Sequence, residues 1–145
     1  EQEKEHAKRF YKFLKDEFAG EAIEINASYP VGLYESTADN LRAAAAGEHE
    51  EWSHDYPEFA RIAREDGFPA IAAAYDKISE VENMHERRYN ALLKNVENGT
   101  VFKREEVVLW KCGNCGFIFE GKEAPELCPA CLHPKAYFEV CTEAY

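Results

Sequence analysis

Two cysteine pairs, Cys112-Gly-Asn-Cys115 and Cys128-Pro-Ala-Cys131, stand twelve residues apart near the C-terminal end of the chain. No other feature restricts the fold as tightly. Each C-x-x-C pair can wrap two thiolates around one metal, and two pairs at this separation close a tetrahedral all-sulfur site. Beyond Gly99 the texture becomes short β-type runs around Val107, Val108, Leu109 and Trp110, then Phe117, Ile118 and Phe119, then Tyr137, Phe138 and Val140, divided by glycine and proline. A segment of about 40 residues builds little core unaided, and a bound metal supplies the staple. Thiolates alone leave zinc and iron open, because a structural zinc ribbon shares this plan. Cys141, the fifth cysteine, reads as a small apolar residue in a strand. An odd count dominated by C-x-x-C spacing points to metal ligation in a reducing cytoplasm rather than to disulfides.

Upstream, residues 1–100 read as helical. Residues 1–15 form one helix, with Phe10, Phe13 and Leu14 on one face. A long connection follows over residues 16–36, marked by Gly20, Tyr29-Pro30 and Gly32. Ser36 or Thr37 caps a second helix that runs to about Arg64, where Asp66-Gly67 stops it. Pro57 should kink that helix or end a sub-segment. A third helix starts near Pro69, a favourable first-turn residue, and ends at Asn98-Gly99. Its Ile71, Tyr75, Ile78, Glu82, His85, Tyr89, Leu92 and Val96 alternate steps of four and three, the seam of a helix bundle.

Each helix carries one pair of metal-binding residue types three positions apart: Glu3 and His6, Glu48 and Glu51, Glu82 and His85. Positions i and i+3 share a helix face. Glu82 and His85 sit in the apolar seam, so they point inward. A buried carboxylate or imidazole without a partner is costly. Two divalent cations bridged by carboxylates offset that cost, which gives a di-metal centre inside a bundle. Glu5, Glu50, His49 and His54 are offset from this face and read as solvated.

The bulk properties exclude other classes. The 145 residues carry a formal net charge of −11, with no basic face of the kind nucleic-acid binders use. No apolar run approaches the roughly 20 residues that cross a bilayer, and no signal peptide is visible.

The segments Glu1-Gln-Glu-Lys-Glu-His-Ala-Lys-Arg9, Ala46-Gly-Glu-His-Glu-Glu-Trp52 and Glu82-Asn-Met-His-Glu-Arg-Arg-Tyr89 resemble the rubrerythrin family. So do Trp110-Lys-Cys-Gly-Asn-Cys-Gly116, Ala124-Pro-Glu-Leu-Cys-Pro-Ala-Cys131 and His133-Pro134. The resemblance covers essentially the whole chain. It implies a mainly α fold: a ferritin-like four-helix di-iron bundle over residues 1–100 and a small β-rich rubredoxin-like domain over residues 101–145. Of the four bundle helices only three have counterparts here; the family's first helix, with its own metal-binding glutamate, has none. That leaves its source, another polypeptide or a preceding segment, as an expectation.

The resemblance further implies di-iron ligation by Glu3, His6, Glu48, Glu51, Glu82 and His85, with Glu3 and Glu82 bridging. Glu51 and His6 match the pair that exchanges at one iron as its redox state changes, and Tyr56 matches a tyrosine that hydrogen-bonds near the centre. Cys112, Cys115, Cys128 and Cys131 would hold one iron, for which zinc can substitute. The implied activity is a non-haem peroxidase that reduces hydrogen peroxide to water in oxidative-stress defence. Electrons would come from NAD(P)H through a rubredoxin reductase and pass through the four-thiolate iron, in a cytoplasmic homodimer whose subunits exchange electrons between domains. The rival readings are a ferritin-like iron oxidation and storage protein, and a structural helical module with a zinc ribbon.

Overall fold

Helix α1 (Gln2–Leu14) is solvated on most sides and buries no residue fully. In this computed structural model the described residues are 1–18 and 20–142. Residues 21–34 follow without regular secondary structure, in keeping with the long connection expected there. Ser36 then settles the choice of cap: its extended backbone and its hydroxyl, 3.0 Å from the Asp39 N–H, open helix α2 (Thr37–Glu50).

The second expected helix is one rod made of three pieces. Between α2 and helix α3 (Tyr56–Glu65) lies a π-helical segment, Glu51–Asp55. The disturbance expected at Pro57 therefore falls upstream of it. The physical reason is that a proline ring presses on the carbonyl four residues back and cannot supply an N–H to the preceding turn. The backbone responds there by widening one turn. The Tyr56 N–H reaches back five residues to the Glu51 carbonyl instead of four to that of Trp52. At the far end Gly67 takes φ +84°, and the Phe68 N–H closes on the Ala63 carbonyl at 2.7 Å.

Helix α4 (Pro69–Glu97) buries Ala72, Ala74, Ile78 and Glu82. Ala60 and Ala63 of α3 pack with Ala72 of α4, flanked by Ile71 and Tyr75. Small side chains at this contact let the two helices approach closely. Phe10 of α1 stacks on Tyr75 with centroids 4.9 Å apart and edges onto Tyr56 at 6.2 Å. Three helical rods thus meet around one interior face. Among the described residues, no helix is long and apolar enough to cross a membrane.

The chain divides into two compact units within α4, Glu1–Ala91 and the remainder from Leu92. The second unit is a three-stranded antiparallel sheet of order β2-β1-β3, with β1 at Lys103–Cys112, β2 at Ile118–Glu123 and β3 at Phe138–Val140. Its core is Trp110, Cys112, Ala124, Cys128 and Phe138, all nearly or fully buried. The Trp110 indole donates to the Gly121 carbonyl at 3.0 Å, so its polar edge is satisfied inside the sheet. Cys141 corrects the sequence reading. It stands just past β3, half-buried, with its N–H on the Leu109 carbonyl at 2.7 Å.

Candidate metal centres

The sulfur centre is built from two matching loops. In the first, the Cys112 N–H bonds the Phe117 carbonyl at 2.9 Å and the Gly116 N–H bonds the Cys112 carbonyl at 2.8 Å. In the second, the Cys128 N–H bonds the His133 carbonyl and the Leu132 N–H bonds the Cys128 carbonyl, both at 2.8 Å. The residue after each second cysteine adopts positive φ: Gly116 at +80° and Leu132 at +59°. This turn aims the next N–H at sulfur, so that Phe117 donates to Cys115 and His133 donates to Cys131. The His133 N–H pulls the Cys131 thiol down to about 6. Glycine is the expected residue for such a turn. Leu132 in the left-handed region carried no sequence signal.

The four sulfurs all lie within 4.8 Å of one another. Cys112 and Cys131 are 3.8 Å apart and Cys115 and Cys128 are 3.6 Å apart. A tetrahedron with metal–sulfur bonds of about 2.3 Å has sulfur–sulfur edges of about 3.8 Å. The separations fit that figure and far exceed a disulfide bond of about 2.05 Å. The cysteines are free.

In the helical unit, α1, α2 and α4 bring Glu3, His6, Glu48, Glu82 and His85 together. Glu82 is fully buried, whereas Glu3 on α1 is 58% exposed. The two shared acids divide their oxygens between the two imidazoles. His6 Nδ1 lies 3.0 Å from Glu3 Oε2 and 2.9 Å from Glu82 Oε1. His85 Nδ1 lies 3.1 Å from Glu3 Oε1, 2.7 Å from Glu82 Oε2 and 3.6 Å from Glu48 Oε1. Glu51 joins the His6 side, where the charges of Glu3 and His6 act on it and the Tyr56 hydroxyl donates to it. An ideal α-helix would set positions 51 and 56 about 140° apart. The wide turn between them carries Tyr56 round beneath Glu51.

Two observations test whether these residues suit cations. First, Glu48 Oε2 and both oxygens of Glu82 are buried without a hydrogen-bond partner, despite the nearby ring nitrogens. His85 Nε2 lies 3.2 Å from the Gln2 side-chain amide oxygen, so the outer ring nitrogen is engaged by α1 while Nδ1 faces the acids. Lone pairs from nitrogen and oxygen that converge on one volume are what a cation needs.

Second, the site concentrates negative charge. Burial, then the charges of Glu3, Glu48 and Glu51, push Glu82 up to about 8. Burial also raises Glu48 and Glu51, with Glu3 adding its repulsion to both. Tyr56 is raised well above the usual phenol value by burial and then by the Glu51 charge. Divalent cations relieve this crowding and occupy the orphaned oxygens. The donors therefore fit metal: oxygen and imidazole here, thiolate in the other unit.

Of the residues read as solvated, Glu5 pairs with Lys8 on the surface, and His54 and Glu50 are exposed. His49 contacts the Glu86 carboxylate at 3.2 Å. Sequence reasoning missed four residues: Gln2, which orients His85; Glu86, which accepts the Trp52 indole N–H; Ser79, whose hydroxyl donates to the Trp52 carbonyl; and Leu132. Gln2, Ser79 and Glu86 look like ordinary polar helix positions, and Ser79 stands one place off the third-helix seam at Ile78.

Comparison with known proteins bears on both units. Residues 1–93 match a family model described as Rubrerythrin, and residues 110–139 match one described as Rubrerythrin, rubredoxin-like domain. The chain is 63% identical over 145 residues to rubrerythrin of Clostridium perfringens, covering all of this chain and 74% of the relative. It is 50% identical over 140 residues to rubrerythrin of Nitratidesulfovibrio vulgaris, covering 97% and 71%. Among solved structures, nigerythrin in a mixed-valence state superposes with a TM-score of 0.53 at 27% identity, over 94% of this chain. The fully reduced, all-ferrous nigerythrin gives 0.54 at the same identity. This chain spans 62% of the first nigerythrin chain and 63% of the second.

Proposed function

The chain belongs to the rubrerythrin family, and on that premise we propose that it is a di-iron peroxidase that reduces hydrogen peroxide to water. The family is one of oxidoreductases with a di-iron centre and a rubredoxin-like iron, acting in oxidative-stress defence. The observation that carries the finer reading is the division of Glu3 and Glu82 between His6 and His85, beside carboxylate oxygens buried without partners.

Under this reading Glu3, His6, Glu48, Glu51, Glu82 and His85 hold two irons. Cys112, Cys115, Cys128 and Cys131 hold the third. Iron held by these carboxylates and imidazoles would supply the two electrons that peroxide reduction needs, and iron held by the four cysteines would supply one-electron transfer. The protein's own residues set the conditions. Glu3 and Glu82 hold both positions at a fixed spacing. Gln2 holds the outer nitrogen of His85. Glu51 and His6 stand together on one side of Glu3, and we assign them the exchange at that position. Tyr56 keeps its proton through the neutral range because burial and the Glu51 charge raise it, and it holds Glu51 by donating to it. The N–H groups of Phe117 and His133 on the sulfurs favour thiolate over thiol and tune the relay.

Metal counting on natively purified protein, with a visible spectrum, tests the reading. Expected are about three irons per chain, two on carboxylates and one on thiolates, the red colour of ferric thiolate, and peroxide turnover with NAD(P)H and a rubredoxin reductase. A colourless protein with one zinc and no turnover supports the structural module instead. Many irons per chain support storage. We further propose a cytoplasmic homodimer with electron transfer between subunits. Mixing His85→Ala with Cys128→Ser subunits should recover activity, and no recovery counts against that transfer.

A further inference from the structure

The wide turn at Glu51–Asp55 leaves the Trp52 carbonyl in need of a donor. The Tyr56 N–H has moved to the Glu51 carbonyl. Pro57, the next residue that could reach the Trp52 carbonyl in such a turn, has no N–H. Neither the fourth nor the fifth residue beyond Trp52 therefore supplies a hydrogen bond to it. The donor comes from another helix: Ser79 Oγ of α4 lies 3.0 Å from the Trp52 carbonyl oxygen, in a half-buried setting. The same tryptophan is gripped a second time by α4, where its indole N–H donates to Glu86 at 2.5 Å. Ser79, Glu82 and Glu86 follow one another at steps of three and four, so they share one face of α4. Trp52 is thus tied to α4 on both sides of Glu82, and Glu51 is its immediate chain neighbour.

We infer that Ser79 is a positioning residue for the carboxylate centre: its hydroxyl locks the wide turn that sets Glu51 and Tyr56 on the His6 side. The inference rests on the di-metal reading above. Without the hydroxyl, the Trp52 carbonyl stays unpaired, and the turn regains a donor only by rewinding towards α geometry. Rewinding swings Tyr56 away from Glu51 and loosens the one acid that serves the His6 side alone. The His85 side keeps Glu48, Glu3 and Glu82. The defect should therefore be one-sided.

Manganese(II) is the probe, because carboxylate and imidazole accept it and thiolates disfavour it. The full chain, with zinc on its thiolates, is titrated with Mn(II) and followed by electron paramagnetic resonance. Wild type should take two Mn(II) and show a spin-coupled pair. Ser79→Ala should bind the first ion as wild type and the second roughly 10-fold or more weakly, as orienting groups behind ligands do. Its six-line signal from isolated Mn(II) then persists at two equivalents. Ser79→Thr, which keeps a hydroxyl, should restore the coupled pair. Ser79→Cys, a weak donor of similar size, should fall between.

A coupled pair of wild-type strength in Ser79→Ala overturns the inference, as does Ser79→Thr behaving like Ser79→Ala. Should Ser79→Ala lose its helical circular dichroism, Ser79→Cys decides: wild-type coupling there overturns the inference and weakened coupling upholds it. A wild-type chain that never shows a coupled pair removes both this inference and the di-metal reading beneath it.

Discussion

The two metal centres of this chain solve opposite problems. The sulfur centre closes within twenty residues, Cys112 to Cys131, and its grip is made of backbone: two matching loops whose N–H groups point at sulfur. Around it lies a core of five buried residues, two of them cysteines. The carboxylate centre draws on residues from Glu3 to His85 and is held by the packing of three helical rods. In the first, the metal is part of what holds the fold together. In the second, the fold comes first and holds charges together that repel one another. The first unit is expected to fold only with its metal, and the second to fold in spite of the charges it gathers.

The largest test of that contrast is metal removal. Binding to four thiolates contributes folding free energy on the order of 10 kcal/mol. A strong chelator, or Cys112→Ser, should therefore unfold the sheet while leaving helical circular dichroism in place. Near-ultraviolet signal from the buried Trp110 reads the first and the 222 nm band reads the second. A sheet that survives without metal would remove the contrast. Next, Glu82→Ala takes a shared ligand from both positions of the helical centre. Peroxide turnover should fall more than roughly 100-fold, beyond the range typical of outer-shell losses, while the ferric-thiolate colour stays. Unchanged turnover places the chemistry elsewhere.

A pH series sharpens the second half of the comparison. Glu82 binds its proton more tightly in the folded chain, at about 8, than at the ordinary value of 4.5. Its contribution to stability is then fully present below 4.5 and is lost as pH rises through 8. The metal-free helical unit should melt at lower temperature at pH 8 than at pH 5. Glu82→Gln should flatten most of that slope and raise the melting temperature at pH 8. A metal-free wild type equally stable at both values would mean that the buried acid is not strained. The smallest effect belongs to Leu132. Its φ of +59° opposes an L side chain, and the residue is 73% exposed, so little packing is at stake. Leu132→Gly should stabilise the metal-loaded sheet by about 0.5 kcal/mol, the relief of left-handed strain less the added chain entropy. Guanidinium titration of the Trp110 signal measures it. A loss of stability would show that Leu132 contributes contacts.

The grouping of the four cysteines, and of Glu3, Glu48, Glu82 and His85, follows from spacing, because the same physics sets spacing and geometry. Glu82 and His85 are bound to share a face by helical period, and two C-x-x-C pairs are bound to converge. What escaped was whatever depended on a partner far away in sequence. Pro57 announced a disturbance, but the turn it provokes sits upstream at Glu51–Asp55, and a serine 27 residues beyond Trp52 completes it. Gln2 acts on a histidine 83 residues away. Leu132 hid for another reason: its place after Cys131 demands a backbone that leucine rarely takes, and residue type alone pointed away from it. Cys141 was read by composition and sits past the strand it was given to.

Glu3 and Glu82 each offer one oxygen to either imidazole. Damage at the helical centre therefore comes in two grades. Loss of one ring spoils one seat and leaves its neighbour furnished. Loss of either common acid impoverishes both seats at a stroke, so two of the chain's 28 acidic residues are single points of failure for the whole pair.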